Sequence, residues 1–160
     1  MTKAIAIGML GLALAAQSAA AQTAAEQAQI LRDFQRNVVD YTQRDECLLF
    51  PEVVSAGAPA PRIFTLPVAM VFRQLIAQAL TAPSGAAIGA PATTHRAVAM
   101  EPFPANELFD FPKPLAEVLP LLPVPLEYRL IDHELVIRDA DVDVIVAVLR
   151  DAIGAMTTRR

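Results

Sequence analysis

The sequence predicts an α+β fold, with two amphipathic helices plus a short third helix packed on a three-stranded antiparallel β-meander at the C-terminal end. Three observations lead to this prediction. Apolar residues recur at three- and four-residue steps within 30–41 and 64–80, which is the period of an amphipathic helix. Three short apolar runs follow between 126 and 148, and the first alternates strictly with polar residues. The polar breaks between them are too short for a parallel return, so consecutive strands must be antiparallel.

The first helix is predicted from Ala24 to Arg44. Thr23 and Glu26 have the spacing of a capping box, in which each side chain accepts a hydrogen bond from the amide of the other residue. We expect the apolar stripe of this helix to pack on the protein's own core, and a membrane-surface or partner-binding face is the alternative. The stripe consists of Ile30, Leu31, Phe34, Val38 and Tyr41.

The second helix is predicted to begin near Thr65, whose hydroxyl suits an N-cap, and to end at Thr81, shortly before Pro83. Pro67 falls in its first turn, where a missing amide costs little. A third, short helix is predicted over 114–119, because a proline at its start favours the first helical position.

The part between the helices and the strands is rich in proline. Residues 83–125 contain nine of the 13 prolines of the chain, which prevents a long helix there. A solvated linker has no use for several aromatic side chains, yet this part contains Phe103, Phe109 and Phe111. We therefore predict an irregular segment, around 100–112, that lies on the core.

The three strands are predicted at Leu126–Leu130, Leu135–Ile137 and Val144–Val148. The third run is β-branched and almost continuously apolar, which favours a strand covered on both faces. A small sheet cannot bury both faces alone, so the helices are expected to cover one of them. A final helical turn is predicted over 149–153.

The N-terminal residues have the layout of a secretory signal peptide. Lys3 precedes an uncharged apolar run from Ala4 to Ala16, and small residues up to Ala21 form an A-x-A cleavage site before Gln22. The run is shorter than the roughly 20 residues of a membrane span, and an uncleaved membrane anchor is the alternative. The sequence therefore predicts a periplasmic or secreted protein with no membrane span after signal cleavage.

The predicted organisation has five parts. Residues 1–21 are the signal peptide, 22–82 the helical region, 83–113 the proline-rich irregular connector, 114–153 the β-meander module and 154–160 a flexible tail. The chain has 160 residues and a net charge of −4, and its basic residues form no patch. Nucleic acid is therefore not an expected partner.

The chain has one cysteine, Cys47, so it has no internal disulfide framework. The side chain is expected to be a small buried group beside Leu48, Leu49 and Phe50. An intermolecular disulfide or a reactive thiol is the alternative. A pairing of Cys47 with His95 or His133 would be a nucleophile and its base, but no motif supports it.

Four side chains are the candidates for a metal site. Asp139, Asp141 and Asp143 match positions 1, 3 and 5 of an EF-hand loop, but Val144 stands where that loop needs glycine and Arg150 where it needs glutamate. His133, in the preceding turn, is the fourth candidate. The alternative is an acidic turn that keeps the sheet soluble. We accordingly predict no metal site and no cofactor.

The sequence does not predict an enzyme. It contains no G-x-S-x-G, S-x-x-K or H-E-x-x-H motif and no glycine-rich phosphate loop. Glu127 and Glu134 lie on adjacent predicted strands, where paired carboxylates can do acid–base work. Arg129 and Arg138 lie in the same region, so a lattice of salt bridges is the preferred interpretation.

Several blocks of the chain resemble a group of small uncharacterised secreted bacterial proteins. The matching blocks are Leu119–Pro123, Leu126–Arg129, Glu134–Asp139, Ile145–Leu149 with Ala152–Ile153, and Ile63–Thr65 with Val68–Leu80. The resemblance implies secretion and a helical region ahead of a small β-meander, and it implies no activity. The meander is also similar to the C-terminal hairpin module of periplasmic nickel/cobalt homeostasis proteins, although this chain has only two histidines.

These observations predict a non-catalytic periplasmic or secreted protein with a binding or structural role in the cell envelope. An envelope protein partner is expected at an exposed sheet edge or at the segment around Phe103, Phe109 and Phe111. The alternative is a periplasmic metal- or ligand-binding accessory protein that uses Asp139, Asp141 and Asp143. A hydrolase is the least favoured interpretation, and no pattern indicates an oligomeric state.

Overall fold

The computed structural model describes residues 11–45, 60–81 and 96–154. Three helices precede three strands, which confirms the α+β prediction. The helices are α1 (Gly11–Asp45), α2 (Leu66–Thr81) and α3 (Lys113–Val118), with a 3₁₀ turn at Ala105–Glu107 before α3. The strands are β1 (Leu126–Ile131), β2 (Glu134–Asp139) and β3 (Val144–Leu149).

The sheet is an antiparallel meander in the order β1-β2-β3. Only Asp132 and His133 separate β1 from β2, so Ile131 lies opposite Glu134 and Leu126 opposite Asp139. The pairing of β2 with β3 shifts by one residue between Ile137 and Arg138, which is a β-bulge. Asp132 has a φ of 53°, a left-handed conformation that aspartate tolerates in tight turns.

The larger core lies between the helices and one face of the sheet. An aromatic cluster is at its centre: the ring of Phe72 in α2 lies 4.7 Å from that of Phe34 in α1, 5.3 Å from Phe64 and 6.3 Å from Tyr128 in β1. Leu135 and Ile137 of β2 are fully buried in the same core. The aromatic rings therefore join both long helices to the sheet.

A smaller core covers the opposite face of the sheet. Ala97 and Phe103, from the segment before α3, bury Ile131, Val136 and Ile145. This arrangement fits the alternation of β2, whose odd-numbered side chains face the helices while Val136 faces away from them. The segment predicted to lie on the core thus packs on the sheet face that the helices leave open.

The structure differs from the predictions at several element ends. Helix α1 begins at Gly11 rather than Ala24 and continues without a break through the predicted cleavage site, because the intervening residues are mostly alanine and other good helix formers. Thr23 therefore lies inside the helix. Residues 150–153 form turns rather than a helical turn, and Asp151 has a φ of 49°. Within the described residues, no helix is both long and apolar enough to cross a membrane.

Replacing Phe72 with alanine is expected to destabilise the fold strongly. The side chain is fully buried and contacts three other aromatic rings, so its loss leaves a large cavity. Thermal and denaturant unfolding should show a loss of about 3–5 kcal/mol in the free energy of unfolding. Gln74→Ala, at an exposed position of the same helix, should change it by less than about 0.5 kcal/mol. Equal effects of the two substitutions would contradict this packing.

Candidate functional site

An open cleft of about 500 Å³ lies between the start of α2 and the end of β3. One wall consists of residues 60–62 and 64–66, which lead into α2. The other wall consists of Ala147, Val148 and Arg150, and Ala99 closes the side between them. The volume is within the range of about 300–1,000 Å³ that is usual for ligand pockets.

The cleft is positively charged in a chain whose net charge is negative. Its lining includes Arg62 and Arg150 and no acidic residue. Arg150 forms an ion pair with Glu134, and its carbonyl oxygen accepts a hydrogen bond of 2.8 Å from Nη2 of Arg73. Among the residues that the structure describes, none forms an ion pair or hydrogen bond with the side chain of Arg62. In the wall that leads into α2, the guanidinium of Arg62 therefore has no partner among the described residues.

The main chain of β3 is only partly covered along its outer edge. The amide of Met100 donates to Ile145 O (2.7 Å), and the amide of Ile145 donates to Glu101 O (2.9 Å). The chain reaches this edge only at Met100, through a turn in which the amide of Glu101 donates to Val98 O (3.3 Å). Beyond Ile145, no other described segment forms a main-chain hydrogen bond to this edge.

The open part of the edge is centred on Val148. Main-chain groups of successive residues in an antiparallel strand face alternate sides. The amide of Ala140 donates to Pro125 O (3.1 Å), so by alternation the even-numbered residues of β2 bond to β1, and Leu135 and Ile137 bond to β3. Their partners Leu149 and Ala147 therefore bond toward β2, and the N–H and C=O of the intervening Val148 face outward. Val148 also lines the cleft. An unpaired donor and acceptor of a strand therefore face the same space as Arg62.

The other edge of the sheet, β1, is flanked by the proline-rich segment. The carbonyl oxygen of Phe109 accepts a hydrogen bond of 3.0 Å from Nη1 of Arg129, and the ring of Phe111 stacks on Tyr128 at 5.9 Å. The hydroxyl of Tyr128 donates to Pro120 O (3.0 Å), and burial raises the pKa of this hydroxyl above its ordinary value. The segment thus passes beside β1 at mid-strand.

The aromatic residues proposed for partner binding have different environments. Phe103 is buried on the sheet, with the guanidinium of Arg138 5.3 Å from its ring centroid, and Phe111 is half-buried against Tyr128. Phe109 is 48% exposed and is the only one of the three with a large free surface. Phe103 and Phe111 therefore serve packing, and Phe109 alone presents a large area to a partner.

In the acidic trio, the carboxylates of Asp139 and Asp143 already bond to groups of the protein. Asp139 is buried, and its Oδ1 accepts hydrogen bonds from the amides of Asp141 (3.0 Å) and Val142 (3.4 Å). Asp143 pairs with Arg138 at 2.7 Å. His133 lies at the other end of β2, about 20 Å away at the usual rise per residue. The described part of the chain has no cluster of three or more side chains placed to hold a metal ion.

The carboxylates of Glu127 and Glu134 do not pair, because the register places them at opposite ends of the hairpin. Glu127 instead accepts two hydrogen bonds from Arg129 (2.9 and 2.7 Å) and one from Arg138. Burial opposes the charge of Glu127, but the two arginines outweigh burial and hold its pKa below the ordinary value. Burial likewise opposes the charge of Arg138, and its two acidic partners raise its pKa. These ion pairs of Glu127 with Arg129 and Arg138 are the contacts that the salt-bridge interpretation predicts.

Two candidate residues cannot be placed. Cys47 and His95 lie outside the described residues, so the proposed pairing of a thiol with a histidine stays a prediction. Comparison of the chain with protein-family models, with curated proteins and with solved structures gave no match. The resemblances drawn from the sequence blocks likewise stay predictions.

Asp139→Ala is expected to lower the free energy of unfolding by about 1–2 kcal/mol, because two partly buried amide hydrogen bonds lose their acceptor. Asp139→Asn should lose less, since its amide oxygen can accept the same bonds. Calorimetric titration of the wild-type protein with calcium, zinc or nickel should give no heat of specific binding. A calcium signal that disappears in Asp139→Ala would contradict the purely structural role.

Glu127→Gln is expected to destabilise the protein by about 1 kcal/mol at pH 7, after allowance for the partial exposure of the ion pairs. A lowered pKa in the folded state stabilises the fold above the ordinary glutamate pKa of about 4.3. This contribution is lost as the pH falls through the folded-state pKa. Unfolding measured from pH 7 to pH 2.5 should therefore show the wild-type and variant curves converging. The exposed Glu117→Gln should show no such difference, and a constant difference would refute the assignment.

Proposed function

We propose that this protein is a non-catalytic binding protein of the bacterial cell envelope, which binds an extended segment of a partner protein along the open part of β3. The signal-like residues 1–21 support delivery to the envelope. The N–H and C=O of Val148, which face the cleft and bond to no described group of the chain, are the observation that carries the binding role.

A partner polypeptide suits this site better than a small polar molecule. Unpaired main-chain groups on a strand edge are a template for another strand, which supplies a donor and an acceptor at the matching spacing. The cleft supplies the side-chain pockets beside that edge, formed by apolar residues of both walls. The combination is the requirement for strand addition, in which the main chain gives affinity and pockets give specificity.

The edge of β1 is less suited to this role. The proline-rich segment lies beside it. The carbonyl oxygen of Phe109 accepts a hydrogen bond from Arg129, and the ring of Phe111 stacks on Tyr128. An added strand would have to displace these contacts. The metal-binding alternative also has little support, because Asp139 and Asp143 already bond to groups of the protein itself.

The test is a selection of random heptapeptides displayed on phage against the immobilised full chain. Peptides enriched on the wild type should bind in solution, and Val148→Pro should weaken their binding at least tenfold. Proline removes the outward N–H of Val148 but none of the hydrogen bonds to β2, so the variant should fold. Val148→Ala is the matched control, because it keeps the N–H and removes only two methyl groups from the wall of the cleft, so it should weaken binding much less than Val148→Pro does. Circular dichroism and thermal unfolding check that both variants are folded.

Two results would overturn the proposal. The first is the enrichment of no peptide on the wild-type chain. The second is peptides that bind Val148→Pro as well as the wild type. If those peptides instead lose affinity for Phe109→Ala, the binding surface is the proline-rich segment beside β1 rather than the β3 edge.

A further inference from the structure

We infer that the segment bound along β3 is acidic, and that Arg62 is the residue that recognises its carboxylate. This inference rests on the proposed function and names the chemistry of the partner. The partner is an extended peptide segment that has an aspartate or glutamate next to the residue that pairs with Val148. The observations that carry it are the charge of the cleft and the absence of a competing partner for Arg62 among the described residues.

The charge of the cleft is opposite to that of the whole protein. The chain carries 17 acidic and 13 basic residues, yet the lining of the cleft includes two arginines and no carboxylate. A surface of this kind attracts anions at close range although the molecule as a whole repels them. An acidic segment is therefore favoured over a neutral or basic one.

The two arginines have different roles. Arg150 already bonds to Glu134, whose other oxygen accepts a hydrogen bond of 3.0 Å from the amide of Ala97. Its charge is thus used to hold the end of β3 against the segment that covers the sheet. Arg62 has no such partner in the described chain, and its planar guanidinium can bind a carboxylate with two parallel hydrogen bonds.

The wall beside Arg62 adds an apolar preference. Leu66 lines the cleft and is 73% exposed, and Met70, one helical turn later on α2, is 63% exposed. These two side chains extend the cleft as an apolar surface along the helix. The partner segment is therefore expected to carry a large apolar residue near its acidic one.

The experiment compares parallel phage selections on the wild type, Arg62→Gln and Arg96→Gln. Arg96 is an exposed arginine that does not line the cleft, so it is the matched control. Peptides from the wild type and from Arg96→Gln should share an aspartate or glutamate at one position, and this preference should be absent from Arg62→Gln. The displayed heptapeptides are then synthesised with acetylated and amidated ends, which leaves side chains as their only carboxylates.

A double-mutant cycle measures the contact. Replacing the selected acid with its amide should weaken binding to the wild type about tenfold, and should change binding to Arg62→Gln by less than about twofold. The wild-type affinity should also fall between 50 and 500 mM NaCl, because the contact is partly exposed to solvent. Thermal unfolding should be the same for Arg62→Gln and the wild type, since Arg62 supports no other described residue.

The outcomes separate this inference from the proposed function. Enriched peptides without an acidic preference, or an acidic preference that persists in Arg62→Gln, would overturn the role of Arg62 and leave binding at β3 in place. Failure to enrich any peptide would overturn both. A concentration-dependent dimer that Val148→Pro abolishes, measured by sedimentation, would show that a second copy of the chain occupies the edge and would also overturn the acidic-partner inference.

Discussion

The contact between the helices and the sheet depends on one aromatic cluster. Phe72 sits between Phe34, Phe64 and Tyr128, so a single ring touches both long helices, the segment between them and the first strand. Such a three-stranded sheet is not stable alone in water, and an amphipathic helix needs its apolar face covered. The cluster meets both needs at once, and it sets the position of α2 relative to the sheet. The cleft exists because Phe64, just before α2, is held in this cluster while β3 continues past it.

The second face of the sheet is covered by an irregular segment rather than by a helix. Residues 96–103 place Ala97 and Phe103 on that face and bond to the outer edge of β3 at Ile145. The same face carries the ion-pair network of Glu127, Arg129 and Arg138, which closes the rim of the small core with charged side chains. Charged groups at such a rim cost little desolvation and still exclude water from the apolar residues below. In the described part of the proline-rich region, Ala97 and Phe103 are thus structural and Phe109 is partly exposed.

Much of the fold follows from local sequence patterns. Strict alternation at Leu126–Leu130 and the short polar breaks predict the meander to within a residue or two, because period and turn length are local properties. The start of α1 does not follow, since the alanine-rich residues before Thr23 form a helix as readily as those after it. The register that sets Glu127 opposite Arg138 depends on a two-residue turn. The cleft could not be predicted at all, because it joins residues about 85 positions apart and Arg62 lies in a connector without a motif.

The turn at Val98–Glu101 has a consequence for how this sheet behaves in a crowded compartment. Met100 adopts a left-handed φ of 68° there, and the chain pairs with β3 only from this residue onward, over the first part of the strand. The length of edge that the described residues leave uncovered is therefore limited by the protein itself and accommodates only a few residues of another strand. A long bare edge would invite chain after chain to join and grow into aggregates. An edge blocked at one end by the chain's own backbone limits such growth, so solubility and the capacity to accept a strand are compatible in one small domain.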